Sequence, residues 1–118
     1  MKMIIVMRKD LNMRKGKMCA QAGHAVLGAW TAALSLYDEV HYKKWFEDNL
    51  CTKICLAVNS EEELLDIYNK GIEANLIVHL VEDYGITEFK GKHTLTCLAF
   101  EPLDDEIIDS ITGELSLL

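Results

Sequence analysis

Short apolar runs alternate with longer helical segments along this chain. Four of these runs are bounded by polar or charged residues and have the length of β-strands: residues 3–7, 52–58, 76–81 and 94–100. The first run is entirely apolar, which is typical of a strand that is covered on both faces. The pattern therefore predicts a small sheet of four strands.

A long helix is predicted at residues 17–37, which are rich in Ala and Leu and far too numerous for a strand. Its apolar positions go nearly all the way round the helix, so we expect a buried central helix. Small side chains would let this helix lie close against a sheet, at Ala20, Gly23, Ala25 and Gly28.

A second, more exposed helix is predicted at residues 38–50. This segment is amphipathic, with apolar side chains at Val40, Trp45 and Leu50 among acidic and basic residues.

Two further helices have clear start or stop signals. Ser60 and Glu63 form a capping box, and the helix that they begin is expected to fade near residues 71–75. The last helix follows Pro102 with an acidic first turn, and Gly113 stops it.

The resulting order of elements is β-α-α-β-α-β-β-α. Because strands and helices alternate over most of the chain, this order favours an α/β layered domain with a largely parallel sheet. No linker, repeat or low-complexity segment divides residues 1–118, and a chain of this length can bury a core as a single domain. Half of the residues are apolar and one is proline, as in ordinary globular domains.

The N-terminus and the cysteines both indicate a cytoplasmic protein. The N-terminal apolar stretch is only about five residues long, so no signal peptide is expected, and no run approaches the ~20 apolar residues of a membrane span. There is no CxxC pair and no histidine at zinc spacing, so neither a metal site nor a disulfide framework is predicted. The four cysteines are expected to be reduced and mostly buried: Cys19, Cys51, Cys55 and Cys97.

The charge of the chain is unevenly distributed. The net charge is −7, yet residues 1–24 carry six basic side chains and a single acidic one, while the rest carries six basic and eighteen acidic side chains. An acidic body with one compact basic segment can focus an anionic ligand on that segment. A solvated basic surface loop would give the same composition.

The first candidate site lies at residues 8–17, which leave the first strand and enter the first helix. A helix start normally recruits acidic residues, but this one has Arg14, Lys15 and Lys17 beside its unpaired N–H groups. Cations are unfavourable at this pole unless an anion also binds there, and Gly16 would let backbone amides approach that anion. This arrangement is typical of a phosphate or oxyanion site.

The second candidate site lies at residues 82–87, beyond the third strand. Ligands of open α/β sheets collect at the carboxyl ends of strands, and Asp83, a glycine turn and a hydroxyl could position a water molecule there. An Asp beside a Gly is also a common turn residue. His24 and Gln21, one helical turn apart, could face the same site. His24 could equally be an ordinary helix residue with no role in a site.

These residues carry a resemblance to a known family. The N-terminal match is Ile4-Ile5-Val6-Met7-Arg8, then Asp10-Leu11-x-Met13-x-Lys15-Gly16-Lys17-Met18-x-Ala20-Gln21-x-x-His24-Ala25. Further matches are Val58-Asn59-Ser60-Glu61-Glu62-Glu63, Glu82-Asp83-x-Gly85-x-Thr87, Thr94-Leu95-Thr96-Cys97-Leu98-Ala99, Pro102 and the ending Ile108-Asp109-Ser110-Ile111-Thr112-Gly113-Glu114-Leu115-x-Leu117-Leu118. In order and over nearly the whole chain, they resemble the type II, archaeal and eukaryotic, peptidyl-tRNA hydrolases.

The resemblance implies a three-layer α/β/α fold with a mixed four-stranded sheet. It also implies a protein, usually a homodimer, that hydrolyses the ester between a peptide and the terminal ribose of tRNA without a cofactor. The catalytic residues implied by the motifs are Lys17, Asp83, Thr87 and Thr96. The implied substrate-binding residues are Arg8, Arg14, Lys15, Gln21 and His24.

Ester hydrolysis needs a positioned water, a proton acceptor and stabilisation of an oxyanion. On the resemblance, Asp83 would orient or deprotonate the water, Lys17 would stabilise charge and align Asp83, and the two threonines would hydrogen-bond water or substrate. If tRNA binds, residues 8–17 are expected to make most phosphate contacts, because the rest of the chain is acidic.

The chain departs from the family pattern at three places. Glu88 stands where the family has Gln, residues 90–93 replace a Pro-Gly, and residues 75–77 replace a Leu-Pro. The alternative function is a non-catalytic binding module of the same fold that recognises a protein or a small anion.

A homodimer is also predicted from the apolar surface of the first helix and of Trp30, Tyr42 and Trp45 near it. Four short strands cannot cover all of this surface, and uncovered apolar surface favours contacts between copies of the chain. The alternative is a monomer, in which the segment at residues 38–50 covers the first helix.

Overall fold

The apolar runs form the strands of one sheet, and the segments between them form helices. The computed structural model describes residues 1–86 and 89–118. The strands are β1 (Met3–Arg8), β2 (Lys53–Val58), β3 (Val78–Asp83), β4 (Thr94–Phe100) and β5 (Ser116–Leu117). The helices are α1 (Lys15–Leu36), α2 (Glu61–Glu73) and α3 (Asp105–Thr112), with a 3₁₀ helix at Glu39–Tyr42 and a π-helical turn at Lys44–Asp48.

The sheet is mixed and has the strand order β3-β4-β1-β2-β5. The α/β class is confirmed, but the sheet has five strands rather than four, because the C-terminal segment returns to pair with β2. The expected largely parallel sheet is wrong: among the strands of residues 1–86 and 89–118, only β1 and β2 form a parallel pair. The connection from β3 to β4 is too short for a crossover helix, so these two strands pair antiparallel.

The sheet lies between two layers of helices. On one face, α1 and Trp45 pack on side chains of the strands that include Met3, Ile5 and Met7. On the other face, α2 and α3 cover side chains that include Ile4 and Val6. The alternating residues of β1 therefore enter two different cores, which explains why this strand is entirely apolar.

Helix α1 is covered on one side only. Its buried residues follow a four-residue spacing along the face that meets the sheet: Gln21, Ala25, Ala29 and Ala33. The expected buried central helix is wrong, because the opposite face is exposed and Leu27 keeps 65% of its surface accessible. Ala20 and Gly23, expected against the sheet, lie on exposed positions.

Gly28 does make the expected close approach to the sheet. A Cβ atom at this position would lie 2.2 Å from Cδ2 of the His79 ring on β3. A side chain at this position would therefore require the exposed His79 ring to move.

The segment at residues 38–50 is not the amphipathic α-helix that its pattern predicts. Tyr42 and Trp45 are its buried residues, while Val40 and Leu50 are exposed. The indole N–H of Trp45 donates to the carbonyl of Thr52 at 2.8 Å. Between α1 and this contact the chain forms a 3₁₀ helix, which is followed by the π-helical turn that contains Trp45. Trp30 packs against the buried aromatic rings, so Tyr42 and Trp45 are part of the core rather than uncovered surface.

All four cysteines are free, as expected, but only Cys97 is buried; Cys51 and Cys55 are half-buried and Cys19 is exposed. None of the helices in residues 1–86 and 89–118 combines the length and apolar character needed to cross a bilayer.

A buried carboxylate ties three separate parts of the fold together. The hydroxyl of Tyr42 donates to Glu101 Oε1 at 3.1 Å, and the backbone N–H of Ile77 donates to Glu101 Oε2 at 2.6 Å. Burial and the neighbouring Glu101 carboxylate raise the pKa of Tyr42, so its hydroxyl keeps the proton that it donates. This contact joins the 3₁₀ helix to the ends of β3 and β4.

Replacing Glu101 with Ala should therefore lower the free energy of unfolding by about 3 kcal/mol, because two buried donors lose their acceptor. Tyr42→Phe should cost about 1–2 kcal/mol, since it removes one hydrogen bond. Urea denaturation followed by far-ultraviolet circular dichroism measures both values. Glu114→Ala, on an exposed glutamate, is the control and should change stability by less than about 0.5 kcal/mol. A similar small change for Glu101→Ala would contradict the role of this contact.

Candidate active site

The start of α1 lacks the usual capping groups. Arg14 is the N-cap residue, makes no side-chain cap hydrogen bond, and no acidic residue occupies the first turn. Arg14 and Lys15 are exposed there, as the sequence predicted. The positive pole of the helix and these two cations thus face the same region of solvent.

Lys17, in the first turn of α1, points to the end of β3. Its ammonium Nζ lies 2.6 Å from Asp83 Oδ1, and each side chain is only 12% accessible. Lys17 Nζ also lies 5.7 Å from the centre of the Phe89 ring. The two predicted residues are therefore joined in a largely buried ion pair.

Asp83 has two further hydrogen-bond donors. Gln21 Nε2 lies 3.4 Å from Oδ1, and the backbone N–H of Gly85 donates to Oδ2 at 2.9 Å. The hydrogen bond from Lys17 is the main cause of a lowered pKa at Asp83, and Gly85 and the charge of His24 act in the same direction. Partial burial opposes this shift without reversing it. The carboxyl is thus held in its ionised form.

Thr96 reaches this cluster through Gln21. Its hydroxyl donates to Gln21 Oε1 at 2.5 Å, which leaves the Gln21 amide nitrogen turned towards Asp83. Thr96 is completely buried. Thr96 therefore contacts Gln21 and is closed off from solvent.

A shift in strand register explains how Thr96 faces α1. Val81 pairs with Cys97, but Glu82 pairs with Leu95, so β4 has one extra residue at this point. Leu95 packs in the core beneath α2 and α3, whereas Thr96 and Cys97 both contact Gln21. Such a bulge interrupts the alternation of a strand and redirects a side chain.

An open cleft of about 710 Å³ lies beside the ion pair. Its lining residues are Lys17, Gln21, His24, His79, Leu80, Val81, Glu82, Asp83, Tyr84 and Ile86. His24 is exposed at its rim, so four predicted residues, Lys17, Gln21, His24 and Asp83, meet at one cleft.

Arg8 has a different set of partners. Its guanidinium binds both carboxylate oxygens of Asp10, at 3.2 and 2.7 Å, and donates to the carbonyl of Leu95 at 3.0 Å. These contacts fasten the end of β1 to β4. The structure does not bring Arg8 into the cleft beside Asp83.

Thr87 and Glu88 lie outside the described residues. The sequence did not assign a site role to His79, which lines the cleft, or to the backbone N–H of Gly85, which donates to Asp83. The Asp83-x-Gly85 spacing was a signal for the latter, because an Asp side chain commonly accepts a hydrogen bond from the backbone two residues later.

The chemistry available here is that of an ionised carboxylate held by a cation. Cys97 is not an available nucleophile, because burial raises the pKa of its thiol to about 12 and the thiol donates to the carbonyl of Gln21. Within residues 1–86 and 89–118, no group of three His, Cys, Asp or Glu side chains comes together as metal ligands. An α/β fold with this site can orient a small polar molecule, such as water, on Asp83.

Comparisons with known proteins identify the family. The family model described as peptidyl-tRNA hydrolase PTH2 matches residues 1–118. The peptidyl-tRNA hydrolases of Methanothermobacter thermautotrophicus and Methanocaldococcus jannaschii are 44% and 43% identical to this chain over 118 residues, which is 100% of each protein. A probable peptidyl-tRNA hydrolase 2 of Dictyostelium discoideum is 40% identical over 98% of this chain and 54% of its own length. The chain belongs to the PTH2 family, which confirms the resemblance.

The ion pair predicts a measurable change in the ionisation of Asp83. In Lys17→Met the pKa of Asp83 should rise, because the main cause of its lowered value is removed. Titration of the Asp83 carboxyl carbon by NMR measures this pKa in both proteins. An Asp83 pKa in the wild type at or above the ordinary ~3.9 would contradict the ion pair.

The same pair should make stability depend on pH. The folded pKa lies below the unfolded one, so the stabilisation is complete above about pH 5 and is lost as the pH falls through the folded pKa. The difference in unfolding free energy between wild type and Asp83→Asn should therefore shrink from about pH 5 towards pH 2.

Proposed function

We propose that this protein hydrolyses the ester that joins a peptide to the terminal ribose of tRNA, through water held by Asp83. The observation that carries the proposal is the Lys17–Asp83 ion pair at the wall of the 710 Å³ cleft, in a chain of the PTH2 family. The proposed mechanism has no covalent intermediate and uses no cofactor.

Asp83 is proposed to orient the attacking water rather than to deprotonate it fully beforehand. A carboxylate has about four acceptor positions, and Lys17, Gln21 and Gly85 occupy three of them. The remaining position, on Oδ2, can accept a hydrogen bond from water. Because the pKa of Asp83 is lowered, the carboxylate is a weak base but a permanently charged acceptor at neutral pH.

The water adds to the ester carbonyl carbon, and negative charge develops on the carbonyl oxygen. The ammonium of Lys17 stabilises that charge in a site where it is only 12% accessible. The ester C–O bond then breaks, and the ribose oxygen leaves with a proton that came from the water.

The other predicted residues are assigned supporting roles. Gln21 and the buried Thr96 position Asp83, and His24 at the cleft rim contacts substrate. Arg14 and Lys15 bind RNA phosphates at the positive pole of α1. Arg8, held by Asp10 and the Leu95 carbonyl, remains a substrate-binding residue on the resemblance alone. Thr87 remains a proposed catalytic residue on the resemblance alone.

Two further properties belong to this proposal. A cytoplasmic location follows, because peptidyl-tRNA is a product of translation. We also propose a homodimer, formed through an apolar groove of about 500 Å³ between α1 and the π-helical turn. Leu27 and Phe46 both line this groove and are 65% and 47% accessible, so they expose apolar surface together at one place, which favours contact with another copy.

Hydrolysis is tested by release of N-acetyl-aminoacid from N-acetyl-aminoacyl-tRNA. Asp83→Asn and Lys17→Ala should each lower kcat by about 10²-fold or more, since one removes the charged acceptor and the other the stabilising cation. Asp66→Asn and Lys70→Ala remove the same charges from an exposed ion pair on α2 and should leave the rate unchanged. A wild type that binds tRNA but releases nothing above the uncatalysed rate would favour the binding-module alternative.

The dimer is tested by light scattering at micromolar concentration. The wild type should have twice the 13.4 kDa chain mass, and Leu27→Lys should return it to the mass of one chain by placing a charge in the groove. Ile72→Lys, on an exposed apolar residue of α2, is the matched control and should stay dimeric. A wild-type mass near 13.4 kDa that persists on concentration would show a monomer.

A further inference from the structure

A second group of basic side chains, two lysines and a histidine, lies in the connection between β3 and β4. Lys90, Lys92 and His93, called here the basic turn, line an open cleft of about 400 Å³. The other lining residues of this cleft are Arg8, Leu11, Glu61, Phe89 and Thr94. The fold thus brings residues 90–93 beside the N-terminal basic segment, although the two are far apart in sequence.

The basic turn is fastened to the catalytic carboxylate by backbone hydrogen bonds. The N–H of Gly85 donates to Asp83 Oδ2 at 2.9 Å, and the N–H of Gly91 donates to the carbonyl of Gly85 at 2.8 Å. Gly85 has a φ of +77°, and a Cβ there would lie 2.5 Å from the backbone nitrogen of Lys92. Only glycine fits this close packing, so the position of the turn is coupled to that of Asp83.

Phe89 joins the two clefts. Its ring lies 5.7 Å from the ammonium of Lys17 and also lines the cleft of the basic turn. A ligand that lies against this ring can therefore contact both the basic turn and the region of the ion pair.

The charges of the basic turn are available to an anion. Lys90 and Lys92 are exposed, and within the described part of the chain no ion pair involves either of them. His93 has a carboxylate partner, since its Nδ1 lies 3.3 Å from Glu82 Oε1. These lysines are two of only six basic residues beyond residue 24, in a part of the chain that carries eighteen acidic ones. Such an isolated basic patch concentrates an anionic ligand.

We infer that the basic turn is a second phosphate-binding subsite, which holds the RNA strand together with Arg14 and Lys15. The inference rests on the proposed function, because the ester is attached to the end of an RNA strand. The phosphates nearest to that ester lie close to the carboxylate that orients water. The basic turn is the cationic surface linked to that carboxylate, through Gly91 and Gly85. The sequence-based expectation that residues 8–17 make most phosphate contacts is thereby extended to Lys90 and Lys92.

The test compares the double variant Lys90→Ala/Lys92→Ala with the wild type in binding of deacylated tRNA at several salt concentrations. Loss of two phosphate contacts should reduce the slope of log K against log salt by about 1.4–1.8 and weaken binding by about tenfold to a hundredfold at 50 mM salt. Lys90→Arg/Lys92→Arg should retain the slope, because it keeps both charges. Lys43→Ala/Lys44→Ala removes the same charge from an exposed segment near Asp104 and should leave the slope nearly unchanged.

Kinetics separate phosphate binding from chemistry. For N-acetyl-aminoacyl-tRNA, the Lys90→Ala/Lys92→Ala variant should show a raised KM and an unchanged kcat. For the N-acetyl-aminoacyl ester of adenosine, which has no phosphate, variant and wild type should react at equal rates. A slower reaction of the variant with this ester would overturn the inference, since the lysines would then act on the ester itself.

The inference would also be overturned if the Lys90→Ala/Lys92→Ala variant had the same salt slope as the Lys43→Ala/Lys44→Ala control. A wild type that binds no tRNA would overturn it as well. Failure of the proposed function gives a different result: tRNA binds with the expected loss of slope, but the wild type releases no peptide. In that case the subsite is supported and hydrolysis is not.

Discussion

The site depends on one ion pair that spans 66 residues of sequence. Lys17 comes from the first turn of α1 and Asp83 from the last residue of β3, so their contact fixes how the helix start sits over the edge of the sheet. Because both groups are largely buried, each would be costly to leave unpaired, and the pair therefore constrains the surrounding chain strongly. Gln21 and Thr96 extend this constraint into β4. The same contact that organises the site also keeps Asp83 ionised, which suits an acceptor that orients water more than a strong base.

Hydrophobic periodicity was sufficient to predict the α/β class and the four longer strands. The Ser60 and Glu63 pattern correctly marked the start of α2: Ser60 accepts from the backbone N–H of Glu63, although the Glu63 carboxylate accepts from Asn59 rather than from Ser60. Lys17 and Asp83 could be found because a helix start and a strand end are positions where unpaired groups and ligands meet. The register shift in β4 could not be predicted, since the Thr-Leu-Thr-Cys pattern alternates regularly and only pairing with β3 shows the extra residue. The path of residues 38–50 could not be predicted either. There the burial of Tyr42 and Trp45 overrides the local helical pattern.

The acidic body and the basic patches divide the surface of the protein into distinct electrostatic regions. The Lys17–Asp83 pair is nearly neutral as a unit, so it contributes little long-range attraction for a polyanion. Attraction must come from cations around it, at the start of α1 and in the turn before β4. Binding strength and the chemical step can consequently be altered by separate sets of residues.

The contact between Gly28 and His79 ties one wall of the 710 Å³ cleft to the packing of α1 on β3. Gly28 lies against the His79 ring, and a methyl group on residue 28 would have to displace this ring. The His79 side chain is exposed, so its ring has room to turn, and it already lines the cleft. A closer approach of α1 to β3 would therefore move the His79 ring and change the shape of the cleft. The width of the cleft and the packing of the helix are thus coupled through one imidazole ring.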